Sequence, residues 1–230
     1  MKKLIPLTLT AALLLSLFFT FAYSGNIGKK AAEGAGTEYA SPAENGTQAK
    51  LFWLLSDKQV VEKIGSLCQE DMQRSGILAS VSAAQFILES AYGISELAQE
   101  ANNCFGMKCS LSGNTWEGST WDGVSSYTME TEEEYTEGTF TVITAEFRKY
   151  SCVEDSVEDH SVYLLSAMDG GRKRYEGISG EADYRKAAQI IKDGGYATAS
   201  DYAEMLCSVI ERYDLTRFDQ AAMPPFFLLN

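Results

Sequence analysis

The stretch that decides the fold is Ser80–Cys109, SVSAAQFILESAYGISELAQEANNCFGMKC. Val81, Ala84, Leu88 and Ala91 recur at helical spacing and predict a core-facing stripe. Gln85, Glu89 and Tyr92 fall at i, i+4 and i+7, a second and more polar stripe on the same helix. Gly93 stands where a left-handed helix cap is expected, and a short helix from Ser95 to Ala101 then leads into an Asn/Gly loop, Asn102 to Cys109. A carboxylate among Phe86, Ile87, Leu88 and Tyr92 loses hydration, which raises its pKa toward that of a useful general acid. Spacing alone leaves Glu89 open between that role and an ordinary solvated acid, the commoner case for a helical Glu.

Read as a whole, the stretch holds Ile87-Leu88-Glu89-Ser90, Tyr92-Gly93, Ser95-Glu96-Leu97 and Asn102-Asn103-Cys104-Phe105-Gly106-Met107-Lys108. In that order these segments resemble the signature of the bacterial glucosaminidases, the peptidoglycan-cleaving endo-β-N-acetylglucosaminidases of glycoside hydrolase family 73. So many fixed positions over about thirty residues make a specific match; a lone Leu-Glu-Ser would not.

Upstream, Lys2 and Lys3 precede an apolar run from Leu4 to Tyr23, followed by Ala22-Tyr23-Ser24 before Gly25. That order predicts a secretory leader over 1–24, or an uncleaved membrane tether, since the run is long enough to span a bilayer. Either way the rest of the chain is expected outside the cytoplasm, secreted or at the wall. Residues 25–50, rich in Gly, Ala, Glu, Ser and Thr, read as a flexible spacer. A catalytic domain is expected over 51–216 and a tail over 217–230.

The chain has 230 residues, 45% of them hydrophobic, enough for one domain with a substantial core. Its formal charge is −13, and losing a leader with two lysines and no acids makes it −15. Such a chain is a poor partner for nucleic acid, so recognition has to come from a cleft. No cofactor is expected, and one His without a Cys-x-x-Cys pair makes a zinc site improbable. Among Cys68, Cys104, Cys109, Cys152 and Cys207, the pair flanking the Phe-Gly-Met-Lys turn, Cys104 and Cys109, is the expected disulfide.

Asp57 is placed to cap a helix through about Arg74, with Val60, Val61, Ile64, Leu67 and Cys68 inward and Ser75-Gly76 ending it. After Ser110, glycines punctuate aromatic and β-branched residues. The runs Ser125–Thr131 and Thr139–Phe147 predict a hairpin whose tip is the acidic segment Glu132–Gly138. Trp116 and Trp121 are either sugar-stacking surfaces or the core of this lobe. Helices follow at about Val153–Met168, Asp183–Asp193 and Tyr202–Tyr213, the last capped by Ser200 or Asp201. The sole histidine, His160, reads as a structural hydrogen-bonding residue, and Arg148 as a tie between hairpin and helix.

The resemblance extends through Phe147-Arg148-Lys149-Tyr150, Ser156-x-x-Asp159-His160 and Gly195-Tyr196-Ala197-Thr198, although the family's Asp-Pro after the last segment is Ala199-Ser200 here. It implies an α+β, lysozyme-like fold: a mainly helical lobe, a small β-hairpin lobe and a glycan groove between them. It also implies action on peptidoglycan strands with Glu89 as general acid, and the chain is expected to act as a monomer. The family's Glu-Tyr-x-x-Gly turn matches Glu134–Gly138, which places the second carboxylate on Glu134, with Glu133 the neighbouring choice. Gln85, Asn103, Phe105, Tyr196 and Tyr202 are expected to bind substrate.

Overall fold

The computed structural model describes residues 46–111, 116–136 and 139–220, with the side chains of 132–141 outside that description. The expected leader, most of the spacer, Glu137, Gly138 and the tail from residue 221 lie outside the described residues. Helix α1, Asp57–Ser75, is capped by Ser56 rather than Asp57. The reason is a capping box: Ser56 Oγ accepts from the Gln59 amide while Gln59 Oε1 accepts from the Ser56 amide. Val60, Val61, Ile64 and Cys68 are buried, and Gly76 ends the helix at φ 71.

Helix α2, Ala79–Ser90, is buried on nearly all sides, not along one stripe. Leu88, expected in the core, is only half-buried, and Ala91 is exposed. The helix is central: α1, the later helix Tyr202–Arg212 and the terminal 3-10 turn Leu215–Phe218 all pack against it. Its left-handed cap is Ala91, not Gly93, and Ala91, Tyr92 and Gly93 take φ of 49, 62 and 79 in succession. Ser90 holds this turn, its Oγ donating to the Phe86 carbonyl at 2.6 Å and accepting from the Gly93 amide at 2.8 Å. A Cβ on Gly93 would lie 2.2 Å from the Phe52 ring, so both space and φ demand glycine.

Helix α3, Glu96–Ala101, is capped by Ser95 and carries the hairpin β1, Ser126–Thr136, and β2, Thr139–Arg148. Tyr127, Met129, Ala145 and Phe147 pack on Leu97 and Ala101, and Tyr127 donates to Glu96 at 2.7 Å. The acidic segment expected at the tip is strand instead: Glu132, Glu133 and Glu134 pair with Val142, Thr141 and Phe140. Partners of high β propensity opposite each Glu outweigh the local preference for a solvated loop.

Helix α4, Val153–Ser166, leads into a second small hairpin, β3 Met168–Asp169 and β4 Arg172–Lys173, turned by Gly170 and Gly171 at positive φ. Helices α5, Tyr184–Asp193, and α6, Tyr202–Arg212, close the helical lobe. Asp183 caps α5 through the Arg185 amide, whereas Asp201 makes no side-chain cap to α6.

The two lobes meet at a buried polar knot. Arg148 at the end of β2 pairs with Asp159 of α4 at 2.9 Å, both side chains fully buried. Tyr150 and Ser119 also donate to Asp159, each at 2.6 Å. The guanidinium lies over Trp116 at 3.9 Å and Trp121 at 4.6 Å, so both tryptophans serve packing, Trp121 buried in the main core and Trp116 half-buried against it.

Packing starts before the expected boundary: the Thr47 amide donates to Glu154 and the Ala49 amide to Asn102, and Phe52 packs against Phe86. It also runs past residue 216, with Phe218 buried and Asp219 accepting from the Ser80 amide at the start of α2. Cys104 and Cys109 are both free thiols, as are the other three cysteines. Cys104 turns into the core while Cys109 follows the hairpin, its amide on the Glu146 carbonyl.

Candidate active site

Glu89 is the next-to-last residue of α2, where the left-handed turn leaves its side chain at the junction of α2 and α6. Its side chain is 93% withdrawn from water, at 7% exposure. Tyr202, the first residue of α6, donates its hydroxyl to Glu89 Oε1 at 2.6 Å, and Gln85 Nε2 reaches that hydroxyl at 3.3 Å. Burial raises the Glu89 carboxyl to about 7, with the Tyr202 hydrogen bond pulling the other way. A carboxyl in that range carries a proton for much of the time near neutrality and can give it up, the property a general acid needs.

The remaining predicted substrate residues lie deeper. Asn103, 1% exposed, uses its side chain within the loop: Nδ2 donates to the Met107 and Arg148 carbonyls and Oδ1 accepts from the Met107 amide. It therefore shapes the loop and ties it to β2. Phe105 is fully buried, its ring stacked on His160 at 4.0 Å. Tyr196, 2% exposed, donates to the Phe105 carbonyl at 3.4 Å and stacks on Tyr202 at 5.9 Å. Gln85 is fully buried too. The structure thus brings Gln85 and Tyr202 to Glu89, sets Tyr196 behind Tyr202, and puts Asn103 and Phe105 in the supporting interior.

Glu134 has its backbone in β1 opposite Phe140, beside a register irregularity before Thr136. Its side chain, like those of Glu132 and Glu133, lies outside the described residues. His160 is not the hydrogen-bonding residue expected: neither ring nitrogen has a hydrogen-bond partner among the described residues. Burial lowers its pKa to about 3, so it is a neutral imidazole among aromatic rings. The residues that reading by spacing missed are Ser90, Ser119 and Tyr150. Ser90 and Tyr150 stood in quoted motifs, Ile-Leu-Glu-Ser and Phe-Arg-x-Tyr, without a role assigned to them, while Ser119 shows itself only through its partners in space. Among the described residues no group of His, Cys, Asp and Glu is set to hold a metal ion.

The family model described as Mannosyl-glycoprotein endo-beta-N-acetylglucosaminidase, Glucosaminidase, matches residues 65–215. The exo-glucosaminidase LytG of Bacillus subtilis is 34% identical over 167 residues, 72% of this chain and 55% of that protein. The peptidoglycan hydrolase FlgJ of Escherichia coli K12 is 33% identical over 144 residues, 61% of this chain and 41% of its own. The chain thus spans about half the length of these relatives. The catalytic domain of the autolysin Auto from Listeria monocytogenes superposes with a TM-score of 0.60 at 26% identity, covering 80% of this chain and all of that one. With the match extending from α1 to the terminal 3-10 turn, and Glu89 held as described, the chain belongs to the glucosaminidase family.

Proposed function

We propose that this chain is a peptidoglycan hydrolase that cuts the β-1,4 bond after N-acetylglucosamine, acting outside the cytoplasm. The observation that carries the reading is Glu89: a carboxyl buried at the end of a rigid helix, held near pH 7 by burial and contacted by one tyrosine hydroxyl. Glycoside cleavage requires a proton on the leaving oxygen and stabilisation of an oxocarbenium-like sugar. Glu89 supplies the proton. Glu134, carried on the hairpin, serves as base toward water, or the substrate's own 2-acetamido group takes the nucleophilic part. Tyr202 keeps one carboxyl oxygen engaged, so the proton resides on the other, free to face the bond being cut.

The relatives named glucosaminidase and peptidoglycan hydrolase support the substrate. The apolar run Leu4–Tyr23 supports export, by a cleaved leader or a tether. Digestion of purified peptidoglycan, followed by borohydride reduction and mass spectrometry of the released ends, tests the reading. Reduced N-acetylglucosamine ends that vanish with Glu89→Gln are expected. Reduced muramic ends would assign the wrong bond, anhydro ends a transglycosylase, and binding without release a wall-binding module.

A further inference from the structure

Five aromatic side chains form a circuit that leaves helix α2 and returns to it. Phe86 of α2 meets Phe105 edge-on, with centroids 6.1 Å apart and planes at 73°. Phe105 lies flat on His160 at 4.0 Å and 11°. The edge of His160 meets Tyr196 at 5.6 Å and 84°, and Tyr196 stacks on Tyr202 at 5.9 Å and 19°. The Tyr202 hydroxyl then closes the circuit on Glu89, three residues beyond Phe86 on the same helix. A second tie runs across it, from the Tyr196 hydroxyl to the Phe105 carbonyl.

Beyond Phe86 of α2, the other four rings come from different parts of the chain: the loop after α3, α4, the turn after α5, and the first residue of α6. His160 is the middle member and the anomalous one. It is fully buried, its two nitrogens have no hydrogen-bond partner among the described residues, and its sequence neighbour Asp159 is spent on Arg148, Tyr150 and Ser119. A buried polar group without a hydrogen bond opposes folding, so its place here rests on the flat ring it offers to Phe105 and Tyr196.

We infer that His160 is a positioning residue for Glu89, acting through the stacked rings of Tyr196 and Tyr202. The inference rests on the reading of Glu89 as general acid, but its test does not. The ring circuit holds the Tyr202 hydroxyl against Oε1 and keeps the Glu89 pocket closed to water. The groups that face the carboxyl are Tyr202 and Gln85, with Tyr196 one ring further back. Loosening the circuit admits water to a carboxyl whose pKa is raised mainly by the lack of it.

The experiment compares His160→Leu, which keeps apolar volume without a ring, with His160→Phe, which keeps a flat ring. Both are made in the full chain and judged folded by a cooperative thermal transition. The Glu89 carboxyl is titrated by carbon-13 NMR in glutamate-labelled protein, its resonance assigned by loss in Glu89→Gln. In His160→Leu the midpoint should fall by about one pH unit, toward that of a solvated Glu. In His160→Phe it should stay within a few tenths of wild type. A normal midpoint in folded His160→Leu, or an equal fall in both variants, overturns the inference. Should His160→Leu not fold, Tyr196→Leu breaks the neighbouring link and must show the same fall. Glycan release is followed alongside: a shifted midpoint with cleavage surviving Glu89→Gln would sink the acid role and leave the positioning intact.

Discussion

Two buried carboxylates in this protein sit in opposite surroundings. Asp159 has both oxygens engaged: Oδ1 accepts from Ser119, and Oδ2 from Arg148 and Tyr150. Glu89 accepts one hydrogen bond, from Tyr202, among the described residues. The first is an anchor between lobes, with its charge met by a guanidinium and its lone pairs filled. The second is left short of partners, and its proton is held more tightly as a result. The difference teaches that burial alone does not set the proton affinity of a carboxyl: the fold supplies compensation at one site and little at the other.

The largest expected effect comes from breaking the compensated site. Asp159→Asn or Arg148→Met alone leaves a buried group unmatched and should cost about 3–5 kcal/mol in urea unfolding. The double variant Arg148→Met/Asp159→Leu should lose less than the sum of the two singles. Losses of a few tenths of a kcal/mol for either single change would mean that the knot is incidental to stability.

The uncompensated site should show itself through pH. Because the folded-state pKa of Glu89 is raised from 4.5 to about 7, its contribution to stability is present below pH 4.5 and lost as pH rises through 7. Relative to Glu89→Gln, wild type should therefore weaken by up to about 3 kcal/mol between pH 4.5 and pH 8. Parallel stability curves for the two proteins would show that Glu89 is not titrating in this window.

The smallest effect should come from Tyr202→Phe. It removes the one bond that lowers the Glu89 pKa, so the carboxyl midpoint should move up, by less than about one pH unit. A downward move would show that water replaces the hydroxyl.

Much of this was legible in the chain itself, for identifiable reasons. The stripe Val60, Val61, Ile64, Cys68 has the period of a helix, and α1 forms there. Glu89 stood out because its neighbours match a family signature, and the family assignment is borne out. What spacing could not show was decided by contacts far apart in sequence. The acidic run Glu132–Glu134 became strand because of what lies across from it, Phe140 to Val142. Gly93 looked like the helix cap, but Ser90 pulls the turn back so that Ala91 takes that place. Asn103 and Phe105 look like groove residues in a motif, yet their burial follows from β2 and α4 closing over the loop. Packing ahead of residue 51 has the same origin, since Thr47 and Ala49 are fixed by Glu154 and Asn102.

The central claim is that Glu89 is the acid because its burial is uncompensated. The most direct measurement is the rate of glycan release against pH, set beside the carbon-13 titration of Glu89 in the same protein. The account predicts a rate that falls above pH about 7 with the midpoint of that titration, and a limb that moves up together with it in Tyr202→Phe. A rate that stays level through the Glu89 midpoint, or a limb that ignores Tyr202→Phe while the carboxyl shifts, would contradict it.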